Sequence, residues 1–149
     1  MTKTAIVKGV ARWYGKNVVP KIPAFSLTKA AHMTAVIMAE QNPSMAEAFL
    51  MNVAPPGVGA MLQTIAAAAQ DDAVFDLAMK SLRDAVAQEA VSFPTPGKPP
   101  HPDGSFDVLN IRPADIELIA GEIRTAQQEI DNAAALAAAN APVAQGGVA

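Results

Sequence analysis

The sequence predicts a mainly α-helical fold: a small helical domain that allows an N-terminal β-hairpin, then a proline-rich extended arm and a long C-terminal helix. Three observations carry this. Hydrophobic residues make up 51% of the chain, and much of that share is alanine, which favours helix and buries little area per residue. Apolar residues recur at helical spacing in several segments, each opened by a capping residue or a proline. A proline-dense break, Phe93-Pro94-Thr95-Pro96-Gly97-Lys98-Pro99-Pro100-His101-Pro102, separates these segments from one last periodic stretch. The boundaries that follow are 1–91 for the hairpin and helical body, 92–107 for the arm, 108–141 for the C-terminal helix and 142–149 for a flexible tail.

The elements follow in order. Ile6, Val7, Val10 and Trp13 alternate imperfectly, Tyr14-Gly15-Lys16-Asn17 reads as a turn, and Val18–Phe25 reads as extended because each proline biases its predecessor away from helix. Pro20 and Pro23 would confine that second arm to a sheet edge. Ser26 can cap a helix from Leu27 to about Gln41, with Leu27, Ala30, Ala31, Thr34, Ile37 and Met38 as its core face. Asn42-Pro43 stops it. Ser44-Met45-Ala46-Glu47 has the capping-box pattern and opens a short helix through Phe49, Leu50 and Met51. After Pro55-Pro56-Gly57, a helix from about Val58 to Ala69 carries Met61, Leu62 and Ile65. Asp71 or Asp72 caps another that reaches about Val91, with Phe75, Ala78, Met79, Leu82 and Val86 on one face. The break, from Ser92 to about Asp107, is expected extended, with turns at Pro96-Gly97 and Asp103-Gly104. Val108–Ile111 reads as a short extended segment. Pro113 suits a first helical position, and the helix it opens can run to about Ala139.

Composition narrows the classes of function. The formal net charge of −3 gives no basic surface for nucleic acid, so no nucleic-acid partner is expected. The absence of cysteine excludes disulfides, thiolate nucleophiles and cysteine-ligated metals. Lys8 interrupts any apolar run of a signal peptide at the start. The uncharged stretch Ala48–Gln70 has the length of a membrane span, but Pro55-Pro56-Gly57 would break it near the bilayer centre, so two short buried helices are expected and a membrane partner is not. His32 is expected exposed or at the rim, on the more polar face of its helix. His101 and Asp103 could share a metal only with further ligands, and Asp107 joins them only if the loop folds back. The carboxylates sit at helix ends or on polar faces, Gly57-Val58-Gly59 lacks the rest of a dinucleotide motif, and no serine has a nucleophile's context. No catalytic residue, cofactor or metal site is expected.

The strongest periodic signal is the last helix. Ile116, Ile119, Ile123, Ala126, Ile130, Ala133 and Ala137 alternate spacings of three and four, a heptad-like seam that fades from isoleucine to alanine. It packs either on the chain's own body or on a partner. In the second case Ile116, Ile119, Ile123 and Ile130 are the contact residues, with Phe93, Pro99, Pro100 and Phe106 offered by the arm. The methionines Met33, Met38, Met45, Met51 and Met61 suit core filling or an adaptable binding surface.

The order of elements resembles that of phage tail assembly chaperones, the small proteins encoded just before the tape-measure protein. The likeness runs from about Lys16 to Phe93. It rests on Tyr14-Gly15-Lys16-Asn17-Val18-Val19, on Ala54–Ala68 with its Pro55-Pro56-Gly57, and on Ala90-Val91-Ser92-Phe93. The break and the last helix have no counterpart in it. The resemblance implies a non-catalytic protein that coats the apolar tape-measure polypeptide in the host cytoplasm during assembly. Its partners would be copies of itself or other assembly proteins. The alternative is a structural virion component whose arm and last helix reach a neighbouring subunit.

Overall fold

A computed structural model describes residues 1–24, 26–53, 56–69, 71–88 and 91–140, without the side chains of 49–51, 53, 56 and 57. Among them are helices α1 (Lys3–Asn17), α2 (Leu27–Gln41), α3 (Pro43–Val53), α4 (Pro56–Ala68), α5 (Asp72–Gln88) and α6 (Pro113–Ala139). A 3-10 turn (Val19–Lys21) follows α1, and strands β1 (Val91–Pro94) and β2 (Val108–Ile111) lie between α5 and α6. The fold is mainly helical, with a small antiparallel sheet and a long last helix. The expected tail at 142–149, the contribution of Phe49, Leu50 and Met51, and the break at Ala54-Pro55 lie outside the described residues.

The expected N-terminal hairpin is replaced by α1. Thr2 caps it, its hydroxyl accepting from the Ala5 N–H at 3.2 Å. Ile6, Val7, Val10, Trp13 and Tyr14 fall at i, i+1, i+4, i+7 and i+8, which is a helical period, and all are buried. The glycines in this segment serve packing. A Cβ on Gly9 would stand 2.4 Å from Ile123 Cγ1 and 2.5 Å from Ile123 Cα, so α1 and α6 meet almost backbone to backbone. A Cβ on Gly15 would stand 2.8 Å from Val36 Cγ1 on α2. α1 touches α2, α3, α4 and α6 and forms the centre of the molecule, its wide apolar face inward and Lys8, Arg12 and Lys16 on one outer stripe at i, i+4 and i+8.

The α2 limits and the Ser26 cap match the sequence expectation, the serine hydroxyl accepting from the Thr28 N–H at 3.3 Å. Its inward face does not. His32, Ala35 and Ala39 are the buried residues, whereas Leu27, Ala30, Thr34 and Ile37 are exposed. The helix is apolar on several sides, so periodicity could not choose among them. The small residues Ala35 and Ala39 face inward where helices come close. α3 begins at Pro43 rather than Ser44. Asn42 caps it by accepting from the Met45 N–H at 3.4 Å, and Glu47 pairs with Lys3 at 3.1 Å instead of closing a capping box. Met61, Leu62 and Ile65 of α4 are buried as expected. Asp71 caps α5 through the Val74 N–H at 2.8 Å, and Phe75, Met79 and Val86 point inward.

α5 ends at Gln88, short of the expected Val91, because Val91 begins β1. β1 pairs antiparallel with β2 in the register Val91↔Ile111 and Phe93↔Leu109. The proline-rich segment is therefore not a free arm but the loop of a β-hairpin. Its base continues the ladder, with Thr95 N–H donating to Asp107 O at 2.8 Å. Thr95–Lys98 forms a turn with Pro96 second and Gly97 third, at φ +78°, closed by Lys98 N–H donating to Thr95 O at 3.3 Å. That is the type II pattern, which needs glycine at its third position. Thr95 and Pro96 are buried, and Gly97 lies against Ser26, Thr28 and Ile22, so this part of the loop is docked on the body. The second turn, His101–Gly104, closes with Gly104 N–H donating to His101 O at 2.9 Å.

Pro113 opens α6, and the Asp115 carboxylate accepts from the Arg112 N–H at 2.9 Å. The helix is covered only over its first half. Asp131–Asn140 is exposed at every position. Among the described residues, no helix is long and apolar enough to cross a membrane.

Candidate protein-interaction surface

Ile116, Ile119 and Ile123, expected as partner contacts on the last helix, are buried within the chain, where α6 packs on α1 and α5. Ile130 is half-buried at the edge of that contact. Phe93 is buried in β1. Pro99, Pro100 and Phe106 are exposed on the hairpin loop. The structure thus removes the isoleucine seam from the surface and leaves the loop tip on it.

The loop tip is an ion-paired cluster. Asp107 accepts from Lys98 Nζ at 3.1 Å and meets His101 Nε2 at 2.9 Å. The hydrogen bond from His101, and then that from Lys98, hold its carboxyl below the usual carboxylate range. Asp103 instead accepts from Ser105, closing its own turn. The loop does fold back as a metal site would require, but among the described residues no group of three or more His, Asp or Glu side chains could hold a metal ion.

His32, expected at the surface, is 4% exposed. Its ring stacks beside Tyr14, with centroids 5.7 Å apart, and its Nδ1 lies 2.7 Å from the Tyr14 hydroxyl. Burial raises the phenol pKa, so the phenol keeps its proton and donates; burial also lowers the imidazole pKa, so the imidazole accepts in its neutral form. Each group satisfies the other inside the core, which is a structural use of a histidine. A cleft of about 490 Å³ lies between the start of α1, Asp72 and Arg124–Asp131 of α6. It is open and already bridged by Thr2 and Gln127, the Thr2 N–H donating to Gln127 Oε1 at 2.8 Å.

What remains is an apolar face that nothing among the described residues covers. On α2, Leu27 is 96% exposed, Ile37 59% and Met33 46%. Exposed Ala30 and Thr34 lie between them on the same side, and Met45, 59% exposed, follows just past the helix end. No charged residue stands on this strip from Leu27 to Ile37; Lys29 and Glu40 stand at one edge. A groove of about 160 Å³ runs along that edge, lined by Gly15, Val19, Met33, Val36 and Ile37. Single exposed apolar residues are ordinary, but a contiguous apolar strip marks an interaction surface. From the sequence, Leu27, Ala30, Thr34 and Ile37 were expected on the core face, and Met33 and Met45 either as core filling or as a binding surface. The missing signal was the alanine pair on the opposite side.

The rim is held rigid. The Arg12 guanidinium on α1 donates to both Glu40 oxygens, at 2.7 and 3.0 Å, and to Glu129 on α6 at 2.6 Å. The bond from Arg12 holds the Glu40 carboxyl below its ordinary pKa. Lys16 and Glu122 add a second tie between α1 and α6 at 2.6 Å.

No family model matches the sequence, and neither a curated protein nor a solved structure matches the chain.

Proposed function

We propose that this chain is a non-catalytic assembly protein that works through protein–protein contacts, in the manner of a phage tail assembly chaperone. The observation that carries the reading is the apolar face of α2 that no described residue covers. A soluble scaffold holding an uncharged helical strip in water is suited to shielding an apolar polypeptide, and Met33 and Met45 can adapt to an irregular client. Such a client would be a tape-measure-like chain, met in the host cytoplasm during assembly.

Co-expression with a tape-measure polypeptide tests this. The expected result is a rise in soluble client with the wild-type chain and none with Ile37→Asp. An unchanged soluble yield with the wild type would overturn it. A second reading, a structural virion component, is favoured by the hairpin tip and by the exposed end of α6, both of which project apolar residues, Phe106 and Leu136. Detection of the chain in purified particles would select that reading over the chaperone.

A further inference from the structure

We infer that the α2 face takes a second copy of this chain, in an antiparallel pair about a two-fold axis near Thr34. The inference rests on the reading of this face as an interaction surface and names its resting partner.

The pattern of the strip is complementary to itself. Leu27, Ala30, Thr34, Ile37 and Gln41 repeat at spacings of three and four along one side of the helix. A two-fold axis beside Thr34 sets Ile37 of one copy over Ala30 of the other, a large side chain against a small one, twice. Such alternation lets two helices interdigitate at a separation of about 8–10 Å. Met33 and Ile37 also line the groove beside α2. Because they stand close to the axis, the same two side chains from the second copy reach the matching groove.

Charge selects the direction. Lys29 and Glu40 are about three turns apart, at roughly 3.6 residues per turn, and so share one edge of α2. An antiparallel two-fold keeps that edge on the same side and brings the Lys29 end of each copy to the Glu40 end of the other. A parallel two-fold pair would put the two edges on opposite sides of the seam and would lose this match of opposite charges. The Lys29 ammonium donates to a neutral acceptor, Ile22 O at 3.2 Å. Glu40 shares the Arg12 guanidinium with Glu129 and has Lys8 nearby, so it is the Glu40 carboxylate itself, at the rim, that the Lys29 of the second copy meets.

The area is of the right order. The exposed side chains from Leu27 to Met45 offer on the order of 500 Å² of apolar surface, as large as the largest patch on an ordinary monomer. Pairing two such strips buries about 1,000 Å², at the lower end of specific association. The contact is therefore exchangeable, and an apolar client can displace the second copy from the same strip.

The chain has no cysteine, which makes the test direct. Thr34→Cys is expected to give a disulfide-linked dimer on mild oxidation, whereas Thr125→Cys on the outer side of α6 is not. Ala30→Cys and Ile37→Cys, mixed, should cross-link to each other more than either does to itself. Light scattering of the wild type should show a mass rising toward the dimer with concentration. A monomer at every concentration overturns the inference, as does a dimer in which Thr34→Cys links no better than Thr125→Cys. Failure of the assembly reading is distinguishable: the dimer and its cross-links would then form while the soluble yield of a co-expressed client stays unchanged.

Discussion

At Gly9, two effects of opposite sign compete at one atom. Alanine is worth about 1 kcal/mol more than glycine inside a helix. The added methyl carbon would stand 2.5 Å from Ile123 Cα, and backbone cannot swing aside as a flexible side chain does. Overpacking of this kind costs about 1–3 kcal/mol and sometimes more. Gly9→Ala is therefore expected to lower stability, read as a lower urea midpoint with retained helical signal; a raised midpoint would mean that α1 and α6 do not meet at this residue. His32 is a second case where one group decides. Burial lowers its pKa in the folded chain, whereas the unfolded chain titrates near 6.5. The unfolded state then binds the extra proton below about pH 6.5, so stability is present above that value and is lost as pH falls below it. Tyr14 acts at the other end, because its raised pKa costs stability above about pH 10, where only the unfolded phenol ionises. Unfolding midpoints measured across pH should show a plateau between these limits. His32→Phe should remove the dependence in the histidine range, apart from that of the carboxylates lower down.

At the scale of elements, the legible parts of the fold were those with punctuation. Ser26, Asp71 and Pro113 each stand at the start of a helix in the sequence and in the structure. Their signals are local, set by one side chain and the N–H groups within a turn of it. α1 was not legible, because β-branched residues and a Tyr-Gly-Lys-Asn string resemble strand and turn. Only contact with α6 and α2 shows Gly9 and Gly15 to be points of close approach. The same holds for the hairpin. Its two turns could be read from Pro96-Gly97 and Asp103-Gly104, but the pairing of Val91–Pro94 with Val108–Ile111 is long-range and carries no local mark. The two turn glycines allow a test of the docking. Both have positive φ, +78° at Gly97 and +85° at Gly104, where a side chain costs about 1–2 kcal/mol. Only Gly97 also has neighbours in the way, with Ser26 Oγ and Thr28 Oγ1 both 2.6 Å from an added Cβ, whereas Gly104 has nothing within 4 Å. Gly97→Ala should therefore cost more than Gly104→Ala and should raise amide exchange at Thr95 and Lys98. Equal costs would mean that the loop does not rest on the start of α2.

For the whole molecule, two isoleucines with the same chemistry do opposite things, and periodicity alone does not say which is covered. Ile123, on a seam expected to pack either on the chain's own body or on a partner, is 0% exposed between helices. Ile37, first seen as core, is on the surface. The sequence could show that each lay on an apolar stripe; which stripe is covered depends on where α1 runs, and α1 was the element it misread. Ile123→Asp would bury an unpaired carboxylate against α1, a change worth about 4 kcal/mol or more and enough to unfold a marginal domain. Ile37→Asp places the same carboxylate in water, where a substitution on a monomer alters stability by no more than about 0.5 kcal/mol. The two variants are thus expected to separate folding from association: Ile123→Asp loses its helical circular dichroism, and Ile37→Asp keeps it. Concentration adds the sign that matters for assembly. A chain that pairs through α2 gains stability by mass action, so the wild-type unfolding midpoint should rise with protein concentration. In Ile37→Asp that rise should vanish, leaving the midpoint of the isolated protomer. If both midpoints are flat and equal, Ile37 contributes nothing to self-association, and the uncovered strip is open to a client alone.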